Sequence, residues 1–114
     1  DLGYNWGTAK DWSGWTSFSG VFKKSYDELT KITDKPLMLS EVNTATEGGN
    51  KAEWLKDMLD VQIPNFYPQI DAIVFFNENK MTGEDVDWRM ESSIENIEVL
   101  KTSLSNKLYK ASYP

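Results

Sequence analysis

Two short apolar runs, LMLSEVN at 37–43 and IDAIVFFN at 70–77, each stand between stretches whose apolar residues recur at helical spacing. The first follows Pro36, which disfavours helix at the residue before it; the second is β-branched and aromatic, the composition of a buried strand. Ahead of the first run, Phe18, Phe22, Tyr26, Leu29 and Ile32 or Thr33 form a helical stripe that Asp34-Lys35-Pro36 ends. Between the runs, residues 44–49 read as a loop, Asn50 caps a second helix with Trp54, Leu55, Met58 and Leu59 on its stripe, and Pro64 and Pro68 bracket its exit. Beyond the second run, residues 78–88 read as loop. Ser92 and Glu95 then match a capping box, with Ile94, Ile97, Leu100 or Lys101, Leu104 and Leu108 giving a third helix. Strands alternating with helices predict parallel βα units. Two strands alone leave edges unpaired, so the chain is either a small α/β domain completed by oligomerisation or part of a larger sheet.

Composition narrows the chemistry. There is no cysteine and no histidine, which removes disulfides, thiolate metal sites, Cys nucleophiles, Ser-His-Asp triads and imidazole bases. Carboxylates are left as the groups able to do chemistry. A net charge of −6 disfavours nucleic acid as a partner, and no apolar run approaches the roughly 20 residues of a membrane span. Five Trp, five Tyr and five Phe supply flat apolar faces suited to a core or to sugar rings.

Glu41 lies at the C-terminal end of the first run, where parallel sheets build their sites. Strict alternation places Leu37, Leu39, Glu41 and Asn43 on one face, and an inward Glu41 then continues a row of two leucines. The competing reading is a strand-end carboxylate in solvent. At the end of the second run, Phe75 and Asn77 share one face and Phe76 and Glu78 the other; if Phe75 faces inward, Glu78 faces out, which argues against a Glu41–Glu78 dyad. Residues 3–17 form a loop rich in Gly and Trp, in which Tyr4, Trp6, Trp12 and Trp15 either stack sugars or plug the core. Trp54 reads as packing, Arg89 as an ion-pair partner, and Glu47 and Lys23-Lys24 as solvated.

The series GYNWGT, W-x-SF, VF, Y-x-x-L, KPLMLSEVNTATEGGNKAEWL, P-x-IDAIVFFNENK and DWRMESS, in this order and spacing, resembles the C-terminal part of glycoside hydrolase family 26, the β-mannanase-type barrels and their endoglucanase relatives. The resemblance covers nearly the whole chain. It implies an α/β fold in which residues 1–114 are the C-terminal portion of a TIM (β/α)8 barrel, with residues 1–6 ending strand 6, 37–43 strand 7 and 70–77 strand 8. It further implies Glu41 as catalytic nucleophile, Tyr4 as its hydrogen-bond partner, and Trp6, Phe75, Asn77 and Trp88 as substrate-binding residues, with Phe75 standing where the family has a Trp. The family's acid/base Glu comes from strand 4, which this chain does not contain. The implied parent is a retaining enzyme of β-1,4-linked polysaccharide, β-mannan first and β-glucan next, secreted by a bacterium and needing no metal or cofactor. The isolated chain would be inactive, and would pair with the missing barrel half or with itself. The alternative is a non-catalytic carbohydrate-binding module using Trp6, Trp12, Trp15 and Trp88.

Overall fold

The computed structural model describes residues 2–110. Strand β1 (Leu2–Asn5) leads through the Trp-rich loop to helix α1 (Phe18–Thr30), strand β2 (Leu37–Thr44), helix α2 (Lys51–Lys56), a π-helical segment (Asp57–Gln62) and helix α3 (Ile63–Phe66). Strand β3 (Ile70–Phe75) is followed by a two-stranded ribbon, β4 (Asn79–Lys80) and β5 (Val86–Asp87), a 3-10 turn (Met90–Ser92) and helix α4 (Ile94–Leu104). The main sheet runs β1-β2-β3, all parallel, and the ribbon is antiparallel. Asp1, the first residue of the strand expected at 1–6, lies outside the described residues.

The TIM-barrel portion implied by the resemblance is not the architecture observed. Three parallel strands form an open sheet whose edges are β1 and β3, and the four α-helices complete a small α/β unit. The motifs carry the βα alternation, which open and closed sheets share; closure depends on strand number and shear, which no single strand encodes.

Helix α1 starts where Ser17 Oγ accepts the amide of Gly20, and it presses Phe22 onto β1. That approach requires Gly3, because a Cβ there would lie 2.5 Å from the Phe22 ring. Phe18 and Phe22 join Leu39 and Val42 of β2 with Trp54, Leu55, Met58 and Leu59 in one apolar core on a single side of the sheet. Each such side chain contributes roughly 1.5–3 kcal/mol by leaving water. Trp54 is thus packing, with its indole N–H donated to Thr16 O at 2.8 Å.

Two local expectations are corrected and one is refined. Strict alternation fails in β2: Leu39 pairs with Ile73 but Val42 with Phe75, so one extra residue bulges from β2. Leu39 and Val42 therefore share the helix side, and Leu39 does not share a face with Glu41 and Asn43. The second helix leaves at Phe66, between Pro64 and Pro68 as expected, but Pro64 distorts it on the way. Lacking an amide hydrogen, this proline cannot bond the carbonyl four residues back, and the turns before it widen to π geometry, with Ile63 N–H bonded to Met58 O. The last helix is capped by Ser93, which accepts from Asn96 N at 3.2 Å, while Ser92 Oγ takes the Asn96 side-chain amide. It ends at Leu104, so Leu108 lies beyond it and exposed.

Candidate active site

The face of the sheet opposite the helices gathers polar and aromatic side chains at the strands' C-terminal ends. Leu2 pairs with Glu41 and Tyr4 with Asn43, so Tyr4, Glu41 and Asn43 point the same way. The Tyr4 hydroxyl donates to Glu41 Oε2. Burial raises the Tyr4 pKa, and the bond to Glu41 and the charges of Glu41 and Glu84 raise it further, so Tyr4 remains a neutral donor. Glu41 itself is half-buried.

Around this pair lies a second cluster. Trp88, at 1% exposure, is its centre, with Ala45 and Val86 buried beside it and Tyr4, Trp6 and Phe76 packed against it. Ring centroids lie 5.1 Å apart for Tyr4–Trp88, 5.0 Å for Trp6–Trp88 and 5.7 Å for Tyr4–Phe76. The loop carrying Trp88 is tied down from three directions. Asn43, fully buried, donates to Trp88 O and to Phe76 O, the latter at 2.6 Å, and accepts Thr44 N at 2.8 Å. Lys51, 3% exposed, donates to Trp88 O at 3.3 Å and Arg89 O at 3.1 Å. Asn77 Oδ1 accepts Met90 N at 2.7 Å.

Of the expected site residues, Tyr4, Glu41 and Trp6 come together. Phe75 does not join them: it packs with the helix-side core, and Phe76 sits beside Tyr4 instead. The β2 bulge explains this, because it moves the register between the strands by one residue, so Phe75 lies opposite Val42 on the helix side. Trp88 is too covered to offer a ring face to a sugar, and supports the site from beneath. Asn77 spends its carbonyl oxygen on the Met90 amide. A platform of Trp6, Trp12, Trp15 and Trp88 is not assembled, since Trp88 is covered and Trp15 lies over Gly49, where a Cβ would sit 2.4 Å from its ring.

Two of the other acids near the ribbon are engaged elsewhere. Glu78 lies 3.7 Å from Lys80 Nζ. Asp87 holds the Arg89 guanidinium through two side-chain bonds of 2.9 and 2.7 Å, and this pairing pulls the Asp87 pKa down. Among the described residues, no cluster of three or more acidic side chains could hold a metal ion, and every buried side-chain nitrogen or oxygen has a partner.

Two residues were not singled out from the sequence. Lys51 opens α2, where the helix dipole disfavours a cation; that broken rule was the available signal. Burial lowers its pKa to about 8, against the upward pull of Asp87, Glu47 and Glu91. Glu84 accepts the Trp88 indole N–H at 3.1 Å. It arrives there through the β4–β5 ribbon, whose two-residue strands leave no periodicity to read.

No protein-family profile matches the chain. It is 44% identical over 94 residues to Endoglucanase H of Acetivibrio thermocellus, a match that covers 82% of this chain and 10% of that protein. The chain thus spans about a tenth of the length of this relative, and is related to a region of a glycoside hydrolase.

Proposed function

We propose that this chain supplies the nucleophile side of a retaining glycoside hydrolase site of the family 26 type, acting on a β-1,4-linked polysaccharide. One observation carries the reading: the Tyr4 hydroxyl fastened to the Glu41 carboxylate at the C-terminal ends of adjacent parallel strands, with Trp6 alongside. In the absence of His and Cys, a carboxylate so placed is the chain's best nucleophile. The relation to part of an endoglucanase favours β-glucan over β-mannan, reversing the order that the sequence motifs alone suggest. Such a polymer is too large to enter a cell, which fits a secreted protein.

Glu41 attacks the anomeric carbon as a carboxylate, forming a glycosyl ester as the glycosidic C–O bond breaks. A second carboxylic acid, supplied from outside this chain, protonates the departing oxygen. It then takes a proton from water, which attacks the same carbon and releases Glu41. Tyr4 holds one carboxylate oxygen so that the other faces the sugar.

The test is Glu41→Gln in the intact protein, assayed on β-glucan and β-mannan. Hydrolysis should fall by more than about a thousandfold with the fold intact, as for loss of other enzymic nucleophiles. Near-wild-type turnover would eliminate the assignment.

A further inference from the structure

Of the large apolar side chains at or near the Glu41 side of the molecule, Trp12 stands out. It is 72% exposed, yet its loop is held by a dense set of bonds. Ser13 Oγ shares its one hydrogen between Gly7 O at 2.8 Å and Lys10 O at 3.0 Å and accepts Lys10 N at 3.2 Å. Ser13 N bonds Lys10 O at 3.1 Å, Ala9 N bonds Trp6 O at 3.1 Å, and Thr8 N reaches across to Glu47 O at 2.9 Å. Lys10 Nζ reaches Asp85 in the ribbon turn at 3.2 Å. Gly7, at φ +55°, allows the close turn, since a Cβ there would lie 1.9 Å from Glu47 O. A large apolar ring is therefore displayed on a braced loop.

Its position has a direction. The Trp12 ring lies 5.4 Å from Trp6, Trp6 lies 6.4 Å from Tyr4, and Tyr4 is bonded to Glu41. The aromatic line begins at the carboxylate and ends in solvent. Trp88 and Phe76 support its inner part. Trp12 itself has one ring neighbour and most of its surface open. An exposed indole face suits the axial C–H face of a pyranose, with the sugar's hydroxyls left in water.

We propose that Trp12 is an outlying sugar subsite, which grips a pyranose unit of a β-linked glucan or mannan chain at a distance from the bond being cleaved. The inference rests on the Glu41 reading for the location of that bond. It adds a length preference: chains that reach Trp12 bind more tightly than chains that stop at Trp6. Because the loop is already braced, little ordering accompanies binding, and the stacking energy appears as affinity.

The test measures binding apart from chemistry. Glu41→Gln protein, in its intact form, is titrated calorimetrically with β-1,4-linked gluco- and manno-oligosaccharides from the disaccharide to the hexasaccharide. The series is repeated with Trp12→Ala and Trp12→Phe added. Affinity should climb with length. Trp12→Ala should remove roughly a factor of ten from the longest ligands, the worth of a stacked ring pair, with the loss shrinking as the chain shortens. Trp12→Phe should restore most of it. Affinities unchanged by Trp12→Ala at every length would overturn the subsite, as would an equal loss at every length or no binding of any oligosaccharide. Failure of the catalytic reading looks different: Glu41→Gln protein that still hydrolyses these ligands.

Discussion

The two faces of the three-stranded sheet are held together by different physics. On the helix side, Phe18, Phe22, Val42, Leu55, Met58 and Leu59 are at most 2% exposed and touch mainly one another. On the other side, directed hydrogen bonds do the holding: Asn43 and Lys51 donate to backbone carbonyls, Asn77 accepts a backbone amide, Glu84 accepts the Trp88 indole N–H, and Tyr4 donates to Glu41. The first face is a volume to be filled, tolerant of exchange among apolar residues of similar size. The second is a set of geometries, where each donor has a designated oxygen. Stability belongs to the first and placement of the Glu41 carboxylate to the second.

The sharpest way to break this division is Phe18→Ala. Phe18 is fully buried, with ring neighbours Phe22 at 4.9 Å, Tyr67 at 5.1 Å and Trp54 at 6.0 Å. Removing it should lower unfolding free energy by about 3–5 kcal/mol, read from the denaturant midpoint. At temperatures where the variant is folded, oligosaccharide affinity should be retained. A large affinity loss in folded Phe18→Ala protein would mean that the two faces are coupled.

Lys51 gives a pH test that separates the faces. Its ordinary pKa near 10.5 falls to about 8 on folding because the ammonium is buried. Between those values the unfolded chain holds a proton that the folded chain has released, so stability rises with pH across that window. The rise is on the order of 3 kcal/mol, from 1.36 kcal/mol per unit. Tyr109 acts in the opposite sense: burial pushes it up to about 12, so stability falls as pH climbs from about 10 through that value. Urea midpoints should therefore peak near pH 10, and Lys51→Met should flatten the rise while leaving the fall. A Lys51→Met protein that keeps the rise would show that another group causes it.

The helix face was legible in the sequence because its signal is periodic. Phe18, Phe22, Trp54, Leu55, Met58 and Leu59 announce themselves by spacing alone. At the other face, Glu41 stood out by its place at a strand end and Tyr4 and Trp6 by their aromatic loop, motif resemblance supplied their expected roles, and the structure brings the three together. Trp88 and Phe75 were misplaced for separable reasons. Whether a loop tryptophan is covered depends on contacts distant in sequence, here Tyr4, Trp6 and Phe76. Which of two adjacent phenylalanines faces the site depends on a one-residue bulge in the neighbouring strand, to which period-two counting is blind. The barrel expectation failed similarly, since alternation of strand and helix does not state how many strands close.

Tyr4→Phe should have the smallest effect on stability and so sharpens the comparison most finely. The ring contacts with Trp88, Phe76 and Trp6 remain, and the variant loses one half-buried hydroxyl whose partner, Glu41, can turn to water. The expected stability change is about 1 kcal/mol or less. The rate should suffer more, because a bond to a charged acceptor is worth roughly 1.5–3 kcal/mol and here fixes the direction of attack, so kcat on polysaccharide should drop roughly 10- to 100-fold. A residue of the helix face would show the reverse ratio, with several kcal/mol of stability and little kcat once folded. If Tyr4→Phe lowers the melting temperature strongly and leaves kcat alone, Tyr4 is core rather than site, and the functional boundary drawn along the sheet is in the wrong place.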